Sequence, residues 1–205
     1  MLNEVVGTLL QILVFALIPF LVYLIRNRRV KGFSEYIGLK KSTKKANYLA
    51  VFASLLFAAP VLILIMLSDE IKTIMFDPES VTGKIRQMGF GISSLFTLIM
   101  IAVFKTSFAE ELLFRGFLAK RLIAVMGYTK GNVIQAVLFG VIHTILFAMI
   151  TNNPVFLILI FLIPSLGAYV SVFLNEKLAD GSIFPGWISH GLANVLAYII
   201  VGFVL

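Results

Sequence analysis

Three short patterns carry the residues that could do chemistry: Glu110-Glu111-x-x-x-Arg115, Phe139-x-x-x-His143 and His190-x-x-x-Asn194. They supply two carboxylates, a guanidinium, two imidazoles and a side-chain amide. These are the parts of a hydrolytic site: a base, a second acid or base, and donors for a developing oxyanion. On a helix, Glu111 and Arg115 lie four apart, share a face and can pair. Glu110 projects about 100° away, so Arg115 does not automatically neutralise it. Glu111 and Arg115 are therefore expected to anchor their helix, leaving Glu110 to face a cavity as a general base. His190 and Asn194 are one turn apart on one face, as are Phe139 and His143. The chemistry this set suits is attack of an activated water on an amide carbonyl.

The surroundings of these residues make them conspicuous. The chain is 60% hydrophobic and 13% charged, with a mean hydropathy of +1.03. A soluble domain carries roughly 45–50% apolar and about 25% charged residues. The composition predicts an all-α, polytopic membrane bundle forming a single domain over residues 1–205, with the motif-bearing core at about 90–205. Ionisable groups at bilayer depth cost about 2.5–3.5 kcal/mol each on insertion scales unless they are paired or hydrated. Cysteine is absent, which excludes disulfides and thiolate chemistry.

Six spans are expected: about 5–25, 48–67, 90–122, 132–150, 155–174 and 187–205. The first lacks a basic leader and a small-residue cleavage site and reads as a retained helix. Phe33 to Leu39 is expected in the interface. Asp69 to Met88 reads as an outer loop broken at Asp77-Pro78 and Gly83. Asn132 is expected to cap the fourth span, Pro154 to open the fifth, and Pro19 and Pro164 to kink theirs. Asn175 to Gly186 reads as a short inner loop, and Trp187 as an interfacial anchor.

Charge gives the orientation. Eight basic residues between Arg26 and Lys45, with Lys120, Arg121, Lys130 and Lys177, fall in the expected inner segments. Only Lys72, Lys84 and Arg86 fall in the outer ones. The bias predicts both termini on the outer side. The net charge of +7 thus serves orientation and contact with membrane lipids, not nucleic acid.

Depth is an independent test. Glu110 lies ~15 Å inside the inner end of its helix, His143 ~16 Å past Asn132, and Asn194 ~10 Å past Trp187. A lone membrane histidine is most often a helix–helix contact. Four groups at matching depth on three helices are harder to ascribe to packing.

The three motifs, in this order on separate membrane helices, resemble the CPBP family, which contains the Rce1-like type II CAAX prenyl endopeptidases and the bacterial Abi proteins. The resemblance covers about half of the chain. It implies an intramembrane endopeptidase cutting near the cytoplasmic side, with Glu110 activating water and His143 assisting. It further implies that His190 and Asn194 stabilise the oxyanion, while Glu111 and Arg115 hold the site together with Phe139. The substrate would be a peptide or protein, lipidated or membrane-inserted, and the location a bacterial cell membrane. The family is often labelled metalloprotease. Glu110, His143 and His190 would form a zinc set with water as fourth ligand, whereas Asn194, a poor zinc ligand and a good donor, favours a metal-free glutamate site. Two readings compete with proteolysis: a non-enzymatic immunity or scaffold protein using the same polar cleft, and a proton-coupled carrier relaying through Glu110 and Arg115. The carrier would need paired broken helices that the sequence does not display.

Overall fold

A bilayer offers the backbone no partner but itself, so apolar runs of spanning length must become helices. The computed structural model, which describes residues 1–205, has no strand and six helices long and apolar enough to cross a membrane. These are α1 (Leu2–Asn27), α3 (Lys44–Leu67), α6 (Ile92–Met126), α7 (Tyr128–Ala148), α8 (Pro154–Leu178) and α9 (Phe184–Val204). Three short helices join them: α2 (Phe33–Tyr36), α4 (Asp69–Phe76) and α5 (Val81–Met88).

Side-chain caps set several starts. Thr43 accepts from Ala46 N at 3.2 Å, Ser68 from Ile71 N at 3.3 Å, Ser80 from Gly83 N at 3.0 Å, and Asn153 from Phe156 N at 3.0 Å. Pro154 occupies the first turn of α8, as its missing N–H favours. Helices α1, α3 and α8 continue through Pro19, Pro60 and Pro164.

The last span is the hub. Helix α9 packs on α3, α6 and α8, and its C-terminal turn meets α5. Helices α7 and α8 form the closest pair. Their contact depends on Gly140, where a Cβ would collide with the Ser165 hydroxyl and the Phe161 carbonyl. Helix α1 is peripheral, touching chiefly α6. Glu4 at its start pairs with Lys84 of α5 and lies 3.5 Å from Lys105 of α6.

Five local expectations change. The segment 69–88 is two capped helices packed against the end of α9, not an open loop, and Gly83 lies inside α5 beneath the Asp77 carbonyl. The segment around Phe33–Leu39 docks into the bundle: Ile37 is buried against Leu112 and Ile183. Gly38, at φ +76°, accepts from Ile183 N at 3.0 Å. Asn132 is no cap; it is buried within α7, donates to the Tyr169 carbonyl at 3.1 Å and accepts from Gln135 at 2.9 Å. Asn175 and Glu176 belong to α8, which shortens the inner loop. Trp187 packs against Phe104, Phe108 and Phe184 and donates to the Val103 carbonyl at 2.7 Å, so it anchors α9 to α6.

Helix α6 also departs from α-helical geometry. Met100–Phe108 and Glu111–Ala119 are π-helical, and Ala109 N reaches back five residues to Phe104 O. Glu110 sits in the two-residue joint between them. The Thr106 and Ser107 hydroxyls donate to the Ile101 and Ala102 carbonyls, competing with the regular ladder. Wide turns of this kind recur at functional sites.

Gly140→Val is expected to force α7 from α8 and to cost about 1–3 kcal/mol. Unfolding midpoints in detergent check this against Val137→Ala on the exposed face of α7. Equal midpoints would show that the helix crossing does not need the glycine.

Candidate active site

The carboxylates enter from α6. Glu111 is fully buried, with a side chain 0% exposed beside an Arg115 side chain that is 2% exposed. Glu111 Oε1 lies 3.2 Å from Arg115 Nε, although the two are not aligned as a hydrogen bond. The guanidinium stacks on the Phe139 ring of α7, with Cζ 4.0 Å from the centroid. Phe139 in turn meets Phe114, His143 and His190 with centroids at 5.0, 4.3 and 6.2 Å. The expected one-turn pair thus exists, and Phe139 is the plate against which it and both histidines rest.

Glu111 has more partners than the sequence indicated. Its Oε1 is 3.6 Å from His190 Nδ1. Its Oε2 occupies the gap beside Gly186, where an added Cβ would collide with it and approach Asn175 Nδ2 within 2.8 Å. Asn175 Oδ1 accepts from Gly186 N at 2.8 Å, while Asn175 Nδ2 and both Glu111 carboxylate oxygens are buried without a hydrogen-bond partner in the protein. Glu111 thus lies where α6 meets α9, with Asn175 of α8 lining the same gap.

Glu110 is the more open of the two, with a side chain 18% exposed. Its Oε2 lies 3.9 Å from His190 Nε2, a gap too long for a direct hydrogen bond. The two carboxylates thus flank opposite nitrogens of one imidazole. His143 lines the same cavity as His190, Asn194 and Arg115. Its Nδ1 is 2.8 Å from the Phe139 carbonyl. A carbonyl only accepts, so Nδ1 carries the hydrogen and Nε2 is left as an acceptor.

A cavity of about 190 Å³ opens beside these groups. His143, His190, Asn194 and Arg115 line it together with side chains of α3 and α8, among them Phe57, Val61 and Pro164; Glu110 faces His190 and is not itself among the lining residues. Asn194, expected to donate to an oxyanion, directs its amide nitrogen elsewhere: to Thr106 Oγ1 at 3.1 Å and Ser107 Oγ at 3.2 Å.

The alternative zinc set does not form a ligand cluster. The two His190 nitrogens face different carboxylates, His143 Nδ1 is bound to its own helix, and no three His, Asp or Glu side chains converge on one point.

Sequence reasoning missed Thr106, Ser107, Asn175, Gly186 and Tyr198, which also lines the cavity. The available signals were a hydroxyl pair inside an apolar run one turn before Glu110, and an asparagine just where the fifth span was expected to end.

A family model described as Rce1-like, type II CAAX prenyl endopeptidase, matches residues 92–196. That stretch, just over half of the chain, runs from the first turn of α6 into α9 and holds all three motifs. Comparison with curated proteins and with solved structures finds no match.

Arg115→Met would strand a buried carboxylate and is expected to cost about 3–5 kcal/mol. Glu110→Gln, at the partly open position, should leave the unfolding midpoint in detergent near wild type. Similar losses for both variants would erase the division between the two glutamates.

Proposed function

The chain belongs to the Rce1-like family of type II CAAX prenyl endopeptidases, and from that premise we propose that it is an intramembrane endopeptidase using Glu110 to activate water. A multi-pass membrane protein of a protease family takes a peptide or protein substrate. The observation that carries the finer reading is the facing of Glu110 and His190 from α6 and α9, with His143 of α7 lining the cavity that His190 also lines.

In this scheme the peptide lies across the cavity with its scissile carbonyl near His190. The 3.9 Å between Glu110 Oε2 and His190 Nε2 leaves the carboxylate and the imidazole to engage the reacting atoms instead of each other. Glu110 takes one proton from water as the water oxygen attacks the carbonyl carbon. The C=O π electrons move to oxygen, and His190 Nε2 donates to that oxyanion. Glu111 at the far nitrogen holds the ring in orientation. Collapse expels the amine, which leaves with the proton from Glu110. His143 Nε2 accepts the remaining proton of the new carboxylic acid.

The positive-inside bias places the loop between α1 and α3 in the cytoplasm. Its basic residues then face anionic head groups, and six crossings put both termini outside. Glu110 follows as a group between the cytoplasmic interface and the midplane, where an anchored peptide would enter.

A prenylated CAAX peptide with a fluorophore and quencher across the scissile bond tests the proposal in detergent or liposomes. Glu110→Ala and His143→Ala are each expected to lower kcat by about 10²–10⁴-fold. Turnover unchanged by Glu110→Ala would sink the reading.

A further inference from the structure

The cavity beside the two histidines has more wall than hydrolysis uses. Helices α3 and α8 add Phe57, Ala58, Val61, Pro164 and Gly167 to its lining. None of these can move a proton or hold an oxyanion through its side chain. The stretch that matches the Rce1-like family begins at residue 92, so Phe57, Ala58 and Val61 are this chain's own contribution to the cavity. A mainly apolar wall with a few polar groups is how sites for small apolar groups are built.

Pro164 and Gly167 are the two poorest helix formers, and both line the cavity from within α8. Gly116, Gly140 and Gly186 each have a steric reason to be glycine. A Cβ would lie 2.6 Å from the Ile37 carbonyl at Gly116, 2.6 Å from the Phe161 carbonyl at Gly140, and against the Glu111 carboxylate at Gly186. At Gly167 a Cβ would come no closer than 3.9 Å to anything, and there only to the Phe57 ring. That is ordinary van der Waals contact, and the backbone of Gly167 is not in the left-handed region. Neither packing nor dihedral angles require this glycine. What it leaves is open space facing Phe57. Residues that break a local preference without a packing reason mark functional positions.

Size limits the occupant. An apolar cavity of about 150 Å³ takes a benzene ring. At about 190 Å³ this one holds a single aliphatic or aromatic side chain. A farnesyl chain, with roughly two and a half times the carbons of that ring, exceeds it. A smaller apolar cavity of about 70 Å³ lies past Val61, Met75 and Ile163, which line both. His190 faces Glu110 at 3.9 Å and also lines the larger cavity. A carbonyl held at His190 therefore brings its own or its neighbour's side chain within reach of this space. We infer that the cavity receives an apolar side chain flanking the scissile bond, and that Gly167 and Phe57 set the size it accepts. The inference rests on the hydrolytic reading of the site. It narrows the substrates to peptides with a large aliphatic or aromatic residue beside the bond that is cut.

Turnover and crosslinking test this separately. Quenched peptides carry Ala, Leu or Phe next to the scissile bond, on its amine side in one series and its carbonyl side in the other. Each is made with and without a prenyl group on a nearby cysteine. In one series the wild type should favour Leu and Phe over Ala by at least about tenfold in kcat/KM. Gly167→Leu fills the space and should lower kcat/KM on those Leu and Phe peptides by about 10–100-fold. The Ala peptide should change by less than about threefold, which also shows that the variant is folded. Phe57→Ala enlarges the space and should move the preference toward Phe by about tenfold. Losses equal across the three side chains overturn the inference. A loss that follows the prenyl group instead of the side chain overturns it too, and gives the cavity to the isoprenoid.

The second readout needs no turnover. In Glu110→Gln protein, the same peptide with a diazirine analogue of leucine at the flanking position should crosslink on irradiation to the segments of α3 and α8 that hold Phe57 and Gly167. Mass spectrometry locates the adduct. Adding Gly167→Leu should reduce it at least about tenfold. Adducts confined to other helices, or unchanged by Gly167→Leu, overturn the pocket whether or not the peptide is cut. Turnover unchanged by Glu110→Ala would instead strike the hydrolytic reading and leave the crosslink standing.

Discussion

The Glu111 carboxylate is the constraint on which the rest of the site depends. An unpaired carboxylate buried in an apolar bundle is costly, and a paired one is tolerated only when its surroundings satisfy it. Glu111 lies against Arg115 of its own helix and His190 of α9, and fills the gap beside Gly186 that Asn175 of α8 also lines, without a direct hydrogen bond to any of them. Arg115 then recruits Phe139 from α7 through its ring face. Four of the six spans are located by one buried charge. A glycine, Gly186, therefore stands in the first turn of α9 against α6, since any side chain there would collide with the carboxylate.

The same arrangement separates the roles of two adjacent glutamates. A single step along the chain takes Glu111 into full burial and leaves Glu110 at the edge of the bundle interior. Their carboxylates bracket opposite nitrogens of His190. One lies 3.6 Å from Nδ1 and the other 3.9 Å from Nε2. Ala109 and Glu110 are the only α-helical residues between two π-helical segments. The direction of Glu110 is therefore set by the wide turns on either side as well as by its place in the sequence.

Much of this was legible in the sequence because hydropathy and helical spacing act locally. The six spans, the Glu111–Arg115 pair, the place of Pro154 at the start of α8 and the nearness of His190 to Glu110 all follow from such rules. The features that were not legible depend on which helices are neighbours. Trp187 reads as an interfacial anchor by residue type, yet Val103 supplies its indole with an acceptor inside the bundle. Asn132 reads as a cap, yet the Tyr169 carbonyl of α8 satisfies it within α7. Gly83 reads as a breaker, yet it lets α5 close against the Asp77 carbonyl. The contact between His190 and Glu111 was missed because a one-turn ion pair already accounts for Glu111, and nothing local says that a carboxylate has another partner.

The π-helical turns link these two levels. The first of them holds a Thr-Ser pair, visible in the sequence, whose hydroxyls donate to backbone carbonyls. Only the three-dimensional packing shows that the same hydroxyl oxygens accept from the Asn194 amide of α9. Thr144 makes the same kind of bond to the Gly140 carbonyl within a regular α-helix, so such a hydroxyl does not need a wide turn. What α6 adds is that two adjacent hydroxyls, both turned back on their own helix, meet one amide of α9.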